Sequence, residues 1–237
     1  LGGQAMKLDI TEIDGFDNLH DAEGVLRDEM EAAAEMYGAK ETLFSVNGST
    51  CALLAAISAA VPRGGTILIE RACHMAVYHA AYLRELRVLY VEEVRSGGAE
   101  DGRVEGRCMG EDTSESLLEV PGETRNTGIC FDAIVITSPT YEGVVKDVRA
   151  WAAFAHAHNA LLIVDEAHGA HLGFHPYFPE SAVRCGADVV VQSTHKTLPA
   201  MTQTALLHNV SGRVSGRRLH FFMDIYETSS PSYVLMA

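Results

Sequence analysis

The chain is poor in lysine, since only four of its 237 residues are lysines and none of them directly follows a glycine. Without a Gly-Lys pair there is no Walker A phosphate loop, so Asp-Glu-Ala-His at 165–168 is not the Walker B motif of a helicase. The five cysteines form no Cys-x-x-Cys pair, which argues against a disulfide framework and a zinc site. We therefore expect a reduced, cytoplasmic protein.

Positive charge and long apolar runs are also scarce. The formal net charge of −14 argues against nucleic acid or an anionic membrane surface as a partner. The apolar run at 51–61 is too short to span a bilayer, and no segment resembles a signal peptide. A hydrophobic content of 47% fits a globular protein that binds neither nucleic acid nor a membrane.

Short apolar runs alternate with helical patterns along most of the chain. The predicted strands lie at 42–46, 66–70, 87–94, 132–137, 161–165, 187–192 and 203–208, and the predicted helices at 22–38, 51–61, 74–84 and 148–158. This alternation predicts an α/β fold of three layers, α/β/α, with a mostly parallel sheet of about seven strands. The segment 95–128 is rich in Gly, Glu, Ser and Arg, and we predict a long irregular loop there.

Lys196 is the lysine that follows a strongly apolar strand pattern, and Ser193 and His195 precede it. Ligands of open α/β sheets bind at the carboxyl ends of the strands. An amine at that edge can form a Schiff base with an aldehyde cofactor. Taken alone, the position favours a solvated loop lysine, so the interpretation depends on the neighbouring loops.

Asp165 ends the apolar run Leu161–Asp165, a pattern typical of a buried parallel strand with a carboxylate at its carboxyl end. Such a carboxylate could pair with a protonated ring nitrogen. His168 and His171 follow at a spacing of three, which could suggest a metal site. No third ligand lies at a zinc-like spacing, so we predict that no metal binds.

Gly48-Ser49-Thr50 opens a predicted helix directly after a predicted strand. The backbone N–H groups, the two hydroxyls and the helix dipole can bind a phosphate, although an ordinary N-cap explains these residues as well. Ser193 and His195 could donate to the same phosphate or simply form a turn. His74 could stack on a flat ring or lie on the surface at the start of a helix.

Together these residues resemble the pyridoxal-phosphate enzymes of fold type I, and more narrowly the major domain of the Orn/Lys/Arg decarboxylase family. The segments that carry the resemblance are 8–13, 19–24, 46–50, 137–143, 164–171, 192–200 and 228–233. It extends from about residue 8 to the end, except for 95–128, and its last three segments are highly specific in combination. The resemblance implies that 1–237 is the cofactor-binding domain, similar to aspartate aminotransferase, of a longer enzyme. The family's small C-terminal domain is not matched in 1–237, and the chain stops at Ala237 within a predicted helix, as expected of a fragment of a longer enzyme.

The resemblance also implies which residues would hold pyridoxal 5'-phosphate. The implied cofactor-binding residues are Ser49, Thr50, His74, Asp165, Ala167, His168, Ser193, His195 and Lys196. Lys196 would form the Schiff base, and Asp165 would pair with the pyridine nitrogen. His168 would lie near the ring hydroxyl, Ala167 under the ring and His74 on its opposite face.

The remaining implied residues would hold the phosphate. They are Ser49, Thr50, Ser193 and His195. Thr228 or Ser229 would reach the phosphate of a second subunit, because enzymes of this fold build their sites at a dimer interface. The implied catalytic residues are Lys196, Asp165, His74 and His168.

The implied reaction is the decarboxylation of arginine, lysine or ornithine to an amine that serves polyamine synthesis, with arginine favoured. One alternative is another fold type I enzyme, either an aminotransferase or an acyl-CoA condensing enzyme. The latter typically has Ser-Lys-Ala where this chain has His-Lys-Thr at 195–197. A truncated domain without catalysis is the other alternative. The family usually has Lys-Ser where this chain has Met75-Ala76, which removes polar groups near the site entrance.

Overall fold

The computed structural model describes residues 16–91, 104–108, 116–120 and 130–236. The helices in these ranges are α1 (Val25–Tyr37), α2 (Gly48–Ala60), α3 (Met75–Leu83), α4 (Val148–Ala157), α5 (Thr194–Thr197), α6 (Gly216–Tyr226) and α7 (Tyr233–Met236). A single 3₁₀ turn spans Ala182–Arg184. The longest of these helices have 13 residues, and none is long and apolar enough to cross a membrane.

The strands in the described ranges are β1 (Glu41–Ser45), β2 (Thr66–Glu70), β3 (Arg87–Val91), β4 (Val104–Cys108), β5 (Ser116–Val120), β6 (Ala133–Thr137), β7 (Leu161–Asp165), β8 (Val189–Ser193) and β9 (Ala205–Asn209). Seven of them form one sheet in the order β1-β9-β8-β7-β6-β2-β3. Only β9 runs against its neighbours; β2, β3, β6, β7 and β8 pair in parallel, and β1 has the same direction. The predicted α/β fold with a mostly parallel, seven-stranded sheet is confirmed.

Apolar side chains cover both faces of the sheet, because the strands alternate the direction of successive residues. On one face, the strands pack against α2, α3 and α6, through buried residues that include Leu53, Ile57, Val77, Leu219 and Phe222. On the other face, they pack against α4, through Trp151, Phe154 and Ala155. The sheet is therefore the central layer between two layers of helices.

Three details differ from the sequence-based expectations. Within 95–128, predicted to be irregular, β4 and β5 form an antiparallel pair, and the rest of that segment lies outside the described residues. Charged residues interrupt both strands, which hides the strand pattern. Helix α6 was not predicted, although its buried residues Leu219, Phe222 and Met223 have helical spacing. Apolar runs carry no information on strand direction, so the reversal of β9 could not be read from them.

Candidate active site

The carboxyl ends of the parallel strands bring five predicted loops to one edge of the sheet. These loops follow β1, β2, β6, β7 and β8 and contain 46–50, 71–74, 138–143, 166–168 and 194–197. The two loops after β7 and β8 lie side by side, because these strands are neighbours in parallel register. This edge is where an open α/β sheet binds its ligand.

Asp165 is the last residue of β7 and is only 2% exposed. Its Oδ1 accepts a hydrogen bond from the backbone N–H of Ala167, at 3.1 Å. Burial raises the pKa of Asp165, while that hydrogen bond and the charges of His74, Lys196 and His168 oppose the rise. The charges of these four side chains therefore act on one another, and the positive charge of Lys196 is among those that favour the ionised form of Asp165.

Lys196 lies in α5, a single turn of helix that starts where β8 ends. The backbone N–H of Leu198 closes this turn on the carbonyl of Thr194, at 2.8 Å. Lys196 is exposed to solvent, yet its charge acts on both Asp165 and His168. Strand β8 thus leads directly into the turn that carries the amine, which places the backbone of Lys196 beside the end of β7.

Two histidines flank the carboxylate. His74 is the N-cap of α3, and its Nδ1 accepts from the N–H of Ala76 at 3.1 Å, so a neutral ring has its proton on Nε2. The pKa of His168 is lowered by burial and by the charge of Lys196, which favours a neutral ring. The ring of Tyr141 meets that of His168 edge-on, with 5.9 Å between centroids.

The N-terminus of α2 lies beside the connection between β8 and β9. Gln203 Nε2 donates to the carbonyl of Val46 at 2.8 Å, and the next residue, Thr204, accepts from His195 Nδ1 through its carbonyl at 3.0 Å. Gly48 has φ of +78°, a conformation that disfavours any side chain. Ser49 is half-buried and follows it in the first turn of the helix.

The same helix end has no side-chain cap. Its N-cap residue, Asn47, makes no side-chain hydrogen bond to the first turn; its Oδ1 accepts instead from the N–H of Thr228, at 3.1 Å. The first N–H groups of a helix otherwise need a partner such as an anion. The contact also places Thr228 beside α2 of its own chain, and its predicted role at a second subunit stays a prediction.

Several polar atoms at this edge are buried and have no hydrogen-bond partner within the described residues. They are Thr137 Oγ1, His168 Nδ1, Ser193 Oγ and Thr197 Oγ1. Each such atom costs about 1–3 kcal/mol when it is left unpaired. A ligand that bonds to them would remove this cost. The available groups fit pyridoxal phosphate: a carboxylate for a ring cation, a lysine for an aldehyde, and hydroxyls with an uncapped helix for a phosphate.

The structure thus brings all the predicted site residues to the same edge, although what each one contacts in a ligand stays a prediction. These residues are Ser49, Thr50, His74, Asp165, Ala167, His168, Ser193, His195 and Lys196. Cys73, beside His74, is buried, and burial raises the pKa of its thiol to about 11, which favours an uncharged packing residue over a nucleophile. His171 packs edge-on against Phe178, and no described group of three or more His, Cys, Asp or Glu side chains could hold a metal.

One feature of the edge was missed from the sequence. A cavity of about 770 Å³ lies at the carboxyl ends of β2, β3 and β6, and its lining includes Glu70, Thr137, Tyr141 and Lys146. Glu70 and Lys146 form a nearly buried ion pair, and burial lowers the pKa of Lys146 to about 8. Because Tyr141 also touches His168, the cavity adjoins the predicted site. Lysine is scarce in this chain, so Lys146 could have been singled out from the sequence, but only Lys196 was considered as a site lysine.

Comparisons with known proteins agree with this geometry. The chain is 38% identical over 234 residues to the Bacillus subtilis (strain 168) protein YaaO, whose name marks it as uncharacterized; the match covers 98% of this chain and 46% of YaaO. It is 30% identical over 237 residues to the arginine decarboxylase of the same organism, covering 100% of this chain and 46% of that protein. The chain therefore spans about half the length of these relatives.

Solved structures show the same fold at low identity. Lysine decarboxylase A from Pseudomonas aeruginosa matches with a TM-score of 0.74 at 19% identity, over 99% of this chain and 33% of that one. The constitutive lysine decarboxylase of E. coli matches with a TM-score of 0.68 at 21% identity, with the same coverage. The family model for the Orn/Lys/Arg decarboxylase major domain matches residues 1–237. This chain belongs to the Orn/Lys/Arg decarboxylase family and corresponds to its major domain.

Proposed function

We propose that the protein that contains this chain is a pyridoxal-phosphate-dependent decarboxylase, which converts arginine, lysine or ornithine to the corresponding amine and CO2. The observation that carries the proposal is the coupled group formed by Asp165, Lys196, His74 and His168 at the carboxyl edge of the sheet. Membership of the family supports the reaction class. Arginine is the first substrate to test, because the relative at 30% identity is named an arginine decarboxylase.

When bound, the cofactor supplies an aldehyde that reacts with amines and a ring that accepts electrons from the substrate once its nitrogen is protonated. In this proposal, the buried Asp165 carboxylate holds the proton on that nitrogen, because a cation beside it offsets the cost of burying its charge. His74 and Ala167 keep the ring in one plane. The uncapped start of α2, with Ser49, Thr50, Ser193 and His195, binds the phosphate.

Lys196 has two tasks in the proposal. Its amine would hold the cofactor through the aldehyde, and the same group, when protonated and not bound to the cofactor, would be placed to donate a proton to Cα of the substrate. The enzyme must also orient the bond between Cα and the carboxylate perpendicular to the ring. The cavity beside Tyr141 provides room of about 770 Å³ for a long substrate side chain.

The wider setting is part of the same proposal. The product amine would serve polyamine synthesis. Cys51, Cys73, Cys130 and Cys185 are free, which supports a reducing, cytoplasmic environment. A homodimer or larger homo-oligomer would complete the site, because the family resemblance implies that Thr228 or Ser229 of a second subunit reaches the phosphate.

Cofactor binding is tested by titrating the purified chain with pyridoxal phosphate and recording the visible absorbance, for the parent and for Lys196→Ala. We expect a band in the parent that borohydride abolishes, with the label found on Lys196 by mass spectrometry. Lys40→Ala is the matched control, because Lys40 is an exposed lysine at the opposite edge. Equal labelling of Lys196→Ala and the parent would contradict the proposal.

The reaction is tested separately in the longer protein. Release of labelled CO2 from carboxyl-labelled arginine, lysine and ornithine distinguishes decarboxylation from amino transfer and from acyl-CoA condensation. We expect release from at least one of the three substrates. Cofactor bound through Lys196 with no release from any of them would favour another reaction of fold type I. A chain that folds and does not bind the cofactor would favour a domain without catalysis.

A further inference from the structure

A ladder of buried polar side chains crosses four strands directly behind the candidate site. Glu166 Oε2 accepts from Gln192 Nε2 at 2.6 Å, and Gln192 Oε1 bonds to His208 Nε2 at 3.0 Å. His208 Nδ1 bonds in turn to the hydroxyl of Thr42, at 2.8 Å. All four residues are at most 2% exposed, so each bond is made in a dry interior, where a lost partner is costly.

The ladder and the site occupy opposite faces of the same strand ends. Successive residues of a strand point to opposite faces. In β8, Val191 belongs to the apolar cluster beneath α2, which places Ser193 on that face and Gln192 on the other. In β7, the same alternation places Asp165 toward α2. Glu166 extends the backbone pairing of β7 with β8, because its N–H donates to the carbonyl of Val191 at 2.8 Å. Asp165 and Ser193 therefore each have a ladder residue as their direct neighbour in the sequence.

The proton positions along the ladder are determined by the bonds. Burial lowers the pKa of His208 to about 3, so its ring is neutral. With Nε2 donating to the amide oxygen of Gln192, Nδ1 must accept from Thr42. Glu166 meets donors only, since Ser181 Oγ at 2.7 Å and the N–H of Ala182 at 2.8 Å join the Gln192 amide. No ladder residue can be replaced without leaving a buried group unpaired.

We propose that Glu166, Gln192 and His208 are positioning residues, which hold the ends of β7 and β8 so that Asp165 and Lys196 face the same ligand. This inference rests on the proposed function. The ladder locks the two strands together at the residues that adjoin the site, and His208 connects them to β9 and β1. It acts through the backbone, since its side chains lie on the face away from the ligand.

A second buried carboxylate provides the matched control. Asp188, at the amino end of β8, is fully buried and accepts from the N–H of Leu162, from His156 Nε2 and from Ser211 Oγ, at 2.6–2.9 Å. It ties the same two strands together, far from the candidate site. A loss of stability without a loss of positioning can therefore be produced by Asp188→Asn.

The test compares four variants. Glu166→Gln replaces one accepting oxygen by an NH2 group that faces a donor, and Gln192→Glu places a carboxylate against the carboxylate of Glu166. The double variant E166Q/Q192E restores every bond with reversed polarity, because Gln at 166 can donate to Glu at 192 and a Glu oxygen still accepts from His208. Asp188→Asn is measured at the temperature at which its free energy of unfolding equals that of Gln192→Glu.

Hydrogen exchange of the chain without cofactor is the first readout. We expect the amides at 165–167 and 193–197 to exchange at least about tenfold faster in Gln192→Glu than in Asp188→Asn at matched stability, and the double variant to return to the parent rate. Equal exchange rates at these amides in Gln192→Glu and Asp188→Asn would overturn the inference, whether or not the chain binds a cofactor.

Pyridoxal phosphate affinity, measured by absorbance, is the second readout. We expect a dissociation constant raised about tenfold in Gln192→Glu, restored in the double variant and unchanged in Asp188→Asn. If the parent binds the cofactor and Gln192→Glu binds it equally well, the inference fails while the proposed function stands. If the parent does not bind it, the proposed function fails and the exchange rates alone decide the ladder.

Discussion

The two edges of the sheet use buried polar groups in opposite ways. At the amino edge, the carboxylate of Asp188 is fully buried and has four donors, among them Arg213 at 3.2 Å. Asp132 Oδ2 accepts from the N–H of Thr66 at 2.7 Å and joins β2 to β6. At the carboxyl edge, Asp165 is buried just as deeply, yet its neighbours include hydroxyls that have no partner within the described residues. At the amino edge these polar groups fasten strands. At the carboxyl edge the ladder does so on one face of the sheet, and Asp165 and Ser193 on the other face are available to a ligand.

The two edges differ in how many buried polar atoms lack a partner, because the amino edge also has an unpaired acceptor. Asn209 Oδ1 is buried and unpaired within the described residues, but its Nδ2 donates to Glu41 and to the carbonyl of Val214. A carbonyl oxygen that lacks a partner costs less than a buried charge that lacks one. The charges are fully compensated at the amino edge, and at the carboxyl edge the compensation comes from side chains that a ligand can reach.

Exchanging aspartate for asparagine at each edge gives the largest predicted contrast. Asp165→Asn should lower decarboxylation by the longer protein by at least about a thousandfold, because the ring nitrogen loses the carboxylate that keeps it protonated. The same variant should be at least as stable as the parent, since burial already raises the pKa of Asp165 and so disfavours its charge. Rate assays and chemical denaturation check the two halves of this prediction.

Asp188→Asn is the control and should behave in the opposite way. Losing a buried carboxylate that has four donors should lower the free energy of unfolding by about 3 kcal/mol. Cofactor affinity at a temperature where the variant is folded should stay within about twofold of the parent value. If Asp165→Asn proved the less stable of the two variants, the conclusion that Asp188 stabilises the fold and Asp165 serves a ligand would be wrong.

Much of the fold could be predicted, because apolar runs mark the strands directly. Leu161–Asp165 was located to the residue, and Asp165 and Lys196 were placed at the correct edge from the direction of parallel strands alone. The apolar runs do not reveal, however, which residues of neighbouring strands lie opposite one another. His208 meets Thr42 and Gln192 only because β9 runs antiparallel between β1 and β8. The ladder therefore could not be inferred before the strand order was known.

The pH dependence of stability should report on the ladder. Burial raises the pKa of Glu166 from its ordinary 4.5 to about 7, so the folded chain keeps a proton that the unfolded chain releases between these values. The stability that Glu166 contributes is complete below about pH 4.5 and is lost as the pH rises through 7, a difference of about 3 kcal/mol. Glu166→Gln should remove this slope.

Chemical denaturation at pH 5, 6, 7 and 8 measures this effect, with the parent and Glu166→Gln side by side. The pKa of Tyr37 is raised to about 12 by burial and by the charge of Glu166, so Tyr37 does not titrate in this range. Burial also raises the pKa of Cys185, on which the charge of Glu166 acts as well. A parallel decline of the two proteins between pH 5 and 7 would assign the slope to other groups.

Two serines give the smallest and most direct contrast between the edges. Ser193 Oγ is buried and has no hydrogen-bond partner among the residues that the structure describes, whereas Ser211 Oγ donates to Asp188 at 2.6 Å. Ser193→Ala should leave the free energy of unfolding unchanged or raise it by up to about 1 kcal/mol, because an unsatisfied hydroxyl is removed. It should weaken pyridoxal phosphate binding severalfold, since one phosphate donor is lost.

Ser211→Ala should cost about 1 kcal/mol of stability and leave the cofactor affinity unchanged. Denaturation and absorbance titration of both variants give four numbers, and equal losses of stability would mean that Ser193 Oγ has a partner in solution and is not reserved for a ligand.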